Sequence, residues 1–180
     1  MNLQLEAMAL NLPNVPAHPN RLPFRGVLTL VGVASQRAPS GARGHRVMLT
    51  RPATERALPS LLGMALDYAP ALVSHDARRK VGIISEATIV PLHDGGQPNA
   101  TGQIAISGYL FARDFPDVVR EIRCQQVNSL GMSYEIADAS VPNQEAFIWT
   151  VTGFTFTGAA VLRRDKAAYP QTWIALAASN

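Results

Sequence analysis

Runs of apolar and alternating residues along the chain predict a protein built mainly from β-strands. FRGVLTLVGVAS at 24–35 is rich in Val and Leu and long enough for one strand. KVGIISEATIV at 80–90 and GQIAISGYLFA at 102–112 predict two more, and the turn-forming segment between them predicts a hairpin with a long loop. SLGMSYEIA at 129–137 predicts a further strand, and AFIWTVTGFTFTGAAVL at 146–162 predicts one or two.

Helical spacing of apolar residues is clearest in DFPDVVREIRCQQ at 114–126. The residues that recur on one face of this helix are Phe115, Val118, Val119 and Ile122. Asp114 is the expected N-cap. A shorter helix is predicted within RPATERALPSLLGMALD at 51–67, with Thr54 as its cap.

The order of these elements predicts an α+β protein that is mainly β, a mostly antiparallel β-barrel flanked by a few α-helices. Residues 1–23 contain four prolines and few periodic apolar positions, so they are expected to form an extended arm. Residues 24–180 are expected to form a single domain, because this length suits one core.

Composition and charge exclude several classes of function. The formal charge of +3 comes from 16 basic and 13 acidic residues that are spread along the chain, so no nucleic-acid partner is expected. No apolar run approaches the ~20 residues that cross a bilayer, and the amino end lacks the basic start of a secretory signal. Neither a membrane association nor a secretory signal is therefore expected.

Cofactor and metal chemistry is not predicted. Cys124 is the only cysteine, which excludes an internal disulfide and a cysteine-based zinc site, and it is expected to be a buried or idle thiol. Histidine-based metal motifs such as H-E-x-x-H are absent from the sequence, and so are the glycine-rich motifs that bind nucleotide phosphates.

Two reactive side chains, His75 and Ser133, lie beside predicted strands. Serine is a poor nucleophile at neutral pH and needs a base within hydrogen-bond reach. Strand alternation places Ser133 on one face with Gly131, and Met132 and Tyr134 on the other face. A glycine beside the hydroxyl is expected to let a peptide backbone approach closely. Taken singly, the two residues also fit a surface histidine and an ordinary strand serine.

The competing candidates are less well placed. Ser129 is the rival nucleophile, but it lies where the predicted helix gives way to the strand. The other histidines, which lie in proline-rich or polar segments, are His18, His45 and His93.

The order of a histidine before a strand, a hairpin, a helix and a serine strand resembles the prohead (capsid maturation) proteases of tailed bacteriophages. These enzymes are related in fold to the herpesvirus assemblin proteases. The resemblance extends from about residue 24 to residue 172. It depends on SLLGMALDYAPALVSHDARRKVGII, GQIAISGYLFARDFPDVVREI, LGMSYEI and FTGAAVLRRDKAAYPQT, taken in that order.

The resemblance implies a serine endopeptidase with Ser133 as nucleophile and His75 as general base. Alignment of GAAV with the small apolar run of the family places Thr157 at the third catalytic position. A threonine can hold a histidine N–H but has no charge to stabilise an imidazolium. Glu135, which shares the face of Ser133, is therefore a competing orienter.

The herpesvirus enzymes have an arginine pair shortly after the strand of the third member, and Arg163 and Arg164 occupy about that place. The resemblance implies that they hold the oxyanion, although RRDK is also compatible with a solvated turn. The implied substrates are the phage scaffold and major capsid protein, cleaved inside the immature capsid (prohead) in the host cytoplasm, with self-cleavage and self-association. The alternative is a non-catalytic capsid scaffold or decoration protein on the same fold.

Overall fold

The computed structural model describes residues 8–9, 18–92, 101–125 and 129–177. Most of the predicted arm and most of the hairpin loop, including His93, lie outside these residues. The described part of the arm is a short strand at 8–9 and the residues from 18 onward.

Ten β-strands and two α-helices form the described structure, which is mainly β, as predicted. The strands are β1 (Met8–Ala9), β2 (Arg21–Val31), β3 (Arg46–Leu49), β4 (Ala65–Tyr68), β5 (Lys80–Pro91), β6 (Gly102–Phe111), β7 (Leu130–Ser140), β8 (Ile148–Val151), β9 (Gly153–Arg163) and β10 (Trp173–Leu176). The helices are α1 (Arg51–Ala57) and α2 (Pro116–Cys124), and 3-10 turns lie at Leu58–Leu61 and Pro70–Leu72.

The main sheet has the strand order β10-β2-β6-β5-β4-β9-β7, and β1 pairs with β5. All of its pairs are antiparallel except β4 with β9. The predicted hairpin is confirmed, since β5 and β6 pair along most of their length. The sheet curls into a half-barrel that carries β7 back toward β2, where Met132 Sδ lies 3.0 Å from the position a Cβ would take on Gly26.

Thr172 holds β7 in place at the curled end of the sheet through hydrogen bonds. Its buried hydroxyl accepts the N–H of Met132 at 2.9 Å and donates to the carbonyl of Tyr169 at 2.8 Å. A Cβ on Gly131 would lie 2.9 Å from Thr172 Oγ1 and 3.2 Å from the Ala167 side chain. The protein's own chain thus fills the space beside Gly131, and the expectation that this glycine admits a peptide backbone is wrong.

The two helices begin elsewhere than the sequence indicates, because a proline in the first turn of each helix fixes its start. Phe115 occupies the N-cap position of α2, and the Asp114 carboxylate instead accepts a hydrogen bond from the Asn20 amide at 2.8 Å. Thr54 lies inside α1, where its hydroxyl donates to the carbonyl of Thr50 at 2.8 Å rather than capping the helix.

Helix α2 packs its predicted face on the sheet, and the residues buried there are Val118, Val119 and Ile122. The Tyr68 hydroxyl at the end of β4 donates to Glu121 and ties the helix to that strand. Cys124 is exposed, which excludes the buried alternative of the predicted buried or idle thiol. Among the described residues, no helix is long and apolar enough to span a membrane.

The division between arm and domain at residue 23 remains a prediction, because most of the arm is not described. Strand β2 begins at Arg21 and continues through Pro23, so the last residues of the predicted arm belong to the sheet. Met8 and Ala9 pair with β5 on the same sheet.

Candidate active site

Three neighbouring strands, β4, β9 and β7, form the floor of the site. Ser133 on β7 pairs with Ala160 on β9, and Ala160 pairs in turn with Asp67 on β4. Met132 pairs with Val161, and both are buried in the main core. Because successive strand residues point to opposite faces, Ser133 and Asp67 share the face away from that core. The predicted alternation about Ser133 is confirmed.

Glu135 extends from the same face of β7 and reaches across β9 over a glycine. It pairs with Gly158, and a Cβ on that residue would lie only 2.6 Å from Glu135 Oε2. The absence of a side chain at Gly158 therefore makes room for the carboxylate beside β4. Ala65 O of β4 lies 3.4 Å from the same Cβ position.

His75 reaches the site from the segment that follows the 3-10 turn Pro70–Leu72. Ala71 and Leu72 both have positive φ, 66° and 55°, which L-residues rarely adopt and which marks a strained turn. The ring Nδ1 lies 3.0 Å from Glu135 Oε1 and 3.6 Å from Asp67 Oδ2. Neither carboxylate makes a hydrogen bond of good geometry with Nδ1. The two carboxylates therefore hold this nitrogen by charge and proximity.

Lys80 completes what we call the charged cluster, formed by Asp67, His75, Lys80 and Glu135. The ammonium lies 3.5 Å from Asp67 Oδ2 and 3.8 Å from Glu135 Oε2. The Asp67 side chain is fully buried, and the N–H of Asp76 approaches its other oxygen at 3.4 Å. A buried carboxylate without such partners would be strongly destabilising, so Lys80 and His75 make the burial of Asp67 tolerable.

The cluster shifts the pKa values of Asp67 and His75 in opposite directions. Burial alone would raise the pKa of Asp67, but His75 and Lys80 outweigh it and hold that pKa below its usual value. Burial alone would lower the pKa of His75, but the carboxylates of Asp67 and Glu135 outweigh it and raise that pKa above its usual value. The arrangement therefore favours an imidazolium flanked by two carboxylates.

We expect the contribution of His75 to stability to be largest in mild acid. Because its pKa is raised on folding, this contribution is fully present below the unfolded value of about 6.5 and is lost as the pH rises through the folded value. The measurement is the free energy of unfolding of wild type and His75→Gln in urea across this range. The advantage of wild type should shrink as the pH rises, and an advantage that grows with pH would contradict the geometry.

A pocket of about 890 Å³ opens over this face, and His75, Ser133, Glu135 and Thr157 all line it. The pocket follows both faces of β7, since Tyr134 and Ile136 line it as well. Loop residues 38–43 and parts of β3 and β8 also line it.

Two stacked rings lie beside the loop 38–43 of this wall. The His45 ring stacks on Trp149 of β8 with centroids 4.6 Å apart, and His45 Nδ1 lies 2.9 Å from the carbonyl oxygen of Ala146. His45 therefore supports the pocket wall. His18 is exposed at the start of the described chain, where its ring accepts a hydrogen bond from the N–H of Asn20.

Ser133 and His75 both line the pocket, but no hydrogen bond joins their side chains in the described structure. Ser133 lies two residues from Glu135, about 6.6 Å along the strand, and the His75 ring contacts Glu135. Serine–histidine hydrogen bonds are often long in the absence of substrate. Burial raises the pKa of Tyr134 well above its usual value, so this neighbour is a neutral phenol and not a base.

The orienters of His75 are acidic residues. Thr157, the predicted third member, lies at a β-bulge of β9, where it has no pairing partner on β7. Its side chain is exposed and makes no hydrogen bond with His75 in the described structure. Glu135, the alternative, makes the closest approach to the ring. Asp67 was missed by the sequence analysis, although a single carboxylate within the apolar segment MALDYAPALV was a signal for it.

The predicted oxyanion arginines lie outside the pocket wall, so their role remains a prediction. The guanidinium of Arg163 is paired with Asp165 at 2.7 and 3.0 Å. The backbone N–H of Arg164 donates to the carbonyl of Ser129 at 2.8 Å, and its buried Nε has no hydrogen-bond partner within the described chain. Ser129, the rival nucleophile, does not line the pocket, whereas Lys166 does.

Asp67, His75 and Glu135 also have the donor types of a metal site, with ligand atoms within 4.8 Å of one another. The ammonium of Lys80 already contacts both carboxylates, and the raised pKa of His75 favours a protonated ring that cannot bind a metal. The residues present therefore fit an ion-pair cluster better than a metal centre.

Comparison of the chain with protein-family models, with curated proteins and with solved structures finds no match.

Proposed function

We propose that the protein is a serine endopeptidase of the prohead-protease type, with Ser133 as nucleophile and His75 as general base. The observation that carries this proposal is the His75 ring, held between Glu135 and Asp67 in a pocket that Ser133 also lines. A histidine oriented by carboxylates beside a serine is the arrangement that acyl-transfer catalysis requires.

The roles of the atoms follow from the contacts of the ring. Because Nδ1 faces Glu135 and Asp67, Nε2 is the nitrogen left to accept the proton of Ser133 as its Oγ attacks a peptide carbonyl. The imidazolium formed in this step is stabilised by the two carboxylates and then gives its proton to the leaving amine. Water hydrolyses the acyl-enzyme by the same route, with His75 again as the base.

An extended peptide is the substrate that fits the pocket. Strand β7 is the last strand in the pairing order, and the N–H of Met132 points away from β9 to Thr172. Since backbone groups alternate along a strand, Tyr134 presents its N–H and carbonyl on that same edge, where the pocket lies. A peptide could pair there with its scissile carbonyl beside Ser133.

The finer parts of the proposal come from the family resemblance. They are a herpesvirus-protease-like barrel, the scaffold and major capsid protein as substrates, self-cleavage, self-association, and action inside the prohead in the host cytoplasm. A mainly β sheet curled into a half-barrel is compatible with that fold.

The alternative, a non-catalytic capsid scaffold or decoration protein, is favoured by a different observation. Ser133 and His75 have no hydrogen bond between them, and the charged cluster favours the protonated ring, which is not a base. In that case the cluster only stabilises the fold.

A fluorophosphonate probe separates the two proposals without requiring a known substrate. Above the raised pKa of His75, we expect one covalent adduct, mapped by peptide mass spectrometry to Ser133. His75→Gln should lose the adduct. Ser140→Ala should retain it, because Ser140 lies exposed on the same strand outside the pocket. Absence of an adduct, or an adduct on another serine, would favour the non-catalytic alternative.

A further inference from the structure

Two cations in the pocket wall have no acidic partner in the part of the chain that the structure describes. Arg43 belongs to the loop 38–43, and Lys166 lies in the turn after β9. Both side chains are exposed, and within the described residues neither contacts a carboxylate. The other ionisable groups of the wall are Tyr134, whose pKa is raised by burial, His75 and Glu135, and the charge of Glu135 already faces His75 and Lys80. Arg43 and Lys166 therefore have no carboxylate partner among the described residues of the wall.

The backbone holds each cation in place through a neighbouring buried alanine. Ala42 is 6% exposed in the small core between β3 and β8, and Arg43 follows it with a positive φ of 50°. Ala167 is 1% exposed, and the N–H of Lys166 before it donates to the carbonyl of Arg163 at 2.9 Å. Each charge therefore extends into solvent from a fixed backbone, which suits a recognition role better than a structural one.

Apolar and polar side chains share the rest of the wall. Its larger apolar side chains include Ile136, Trp149 and Leu162. Apolar groups beside a cation lower the local dielectric and strengthen its attraction to a bound anion. Such a pocket favours a peptide that combines apolar side chains with acidic ones.

We propose that Arg43 and Lys166 determine specificity by selecting peptide segments that carry acidic side chains. The inference rests on the proposed function for its peptide ligand, but it concerns binding and not the chemical step. The ion pair between either cation and an acidic side chain of the peptide forms near the surface, where a charge pair contributes about 0.2–1 kcal/mol. Neutralising one cation should therefore weaken peptide binding by up to about fivefold.

The test uses the Ser133→Ala protein, which cannot turn over a peptide. Two fluorescent, end-capped peptides are compared by anisotropy, one of alternating valine and glutamate and one with glutamine in place of glutamate. We expect tighter binding of the glutamate peptide and a preference that weakens as salt is added. Arg43→Gln and Lys166→Gln, each added to Ser133→Ala, should reduce this preference, and together they should remove it.

Arg37→Gln is the matched control, because Arg37 is exposed in the same loop region but lies outside the pocket wall. It should leave the preference unchanged. Equal binding of the two peptides, binding of neither, or a preference that survives the double replacement would overturn the proposal. Labelling of Ser133 by fluorophosphonate is a separate readout, so a failure of catalysis and a failure of acidic selection can be told apart.

Discussion

Replacing Ser133 by alanine should abolish proteolysis while leaving the fold intact. Loss of the nucleophile of a serine protease lowers kcat on the order of 10⁶-fold, which would remove every discrete cleavage product from a cellular assay. The Ser133 hydroxyl makes no hydrogen bond in the described structure, so its removal leaves no buried group unpaired. The substitution should therefore be nearly neutral for the free energy of unfolding.

Intact-mass spectrometry after co-expression with the scaffold and coat proteins of the same genome measures this effect. Ser140→Ala makes the same change on the same strand and should cleave like wild type, since Ser140 is exposed and lies outside the pocket wall. Products that persist in Ser133→Ala would exclude Ser133 as the nucleophile. Identical masses in all samples, together with co-purification of coat protein, would favour the non-catalytic capsid role.

The parts of the structure that were predictable from sequence depend on local periodicity. Alternation along β7 correctly placed Ser133 and Glu135 on one face, and the hairpin of β5 and β6 followed from two strand patterns around a run of turn residues. The buried face of α2 followed in the same way from helical spacing. Each strand, turn or helix pattern is local in sequence, so no tertiary contact was needed to interpret it.

The missed features are non-local. Asp67 reaches the site only because β4 pairs in parallel with β9, which places residue 67 beside residue 160. No local pattern specifies a partner so distant in sequence. Gly131 is a second case in which a distant residue decides the surroundings, since Thr172, far along the chain, covers it. Its sequence neighbours gave no indication of that contact.

Strand register also decides what lies beside Thr157, the predicted third member. Strand β9 contains a bulge at Thr157, so the two-residue period shifts there. Gly158 was counted only as part of a small apolar run, although its lack of a side chain is what lets Glu135 approach His75. A glycine opposite a carboxylate becomes informative only when the strand register is known.

Replacing Glu135 by glutamine should therefore slow catalysis strongly, and Thr157→Val should hardly change it. The amide keeps the shape of Glu135 but removes the charge nearest to the His75 ring, at 3.0 Å. Because that charge stabilises the imidazolium formed during the reaction, we expect kcat to fall roughly 10²- to 10⁴-fold. Asp67 remains beside the ring and should preserve part of the rate.

The pH profile distinguishes loss of this charge from a general structural defect. The carboxylate of Glu135 raises the pKa of His75, so Glu135→Gln should lower that pKa and move the acid limb of kcat/KM to lower pH. A merely misfolded site would lose activity without this displacement. Thr157→Val removes the other proposed orienter of His75. The acid limb of the kcat/KM profile of this variant should coincide with that of wild type. If instead Thr157→Val moves the limb and Glu135→Gln does not, Thr157 is the third member, and the carboxylates of the cluster serve only to stabilise the fold.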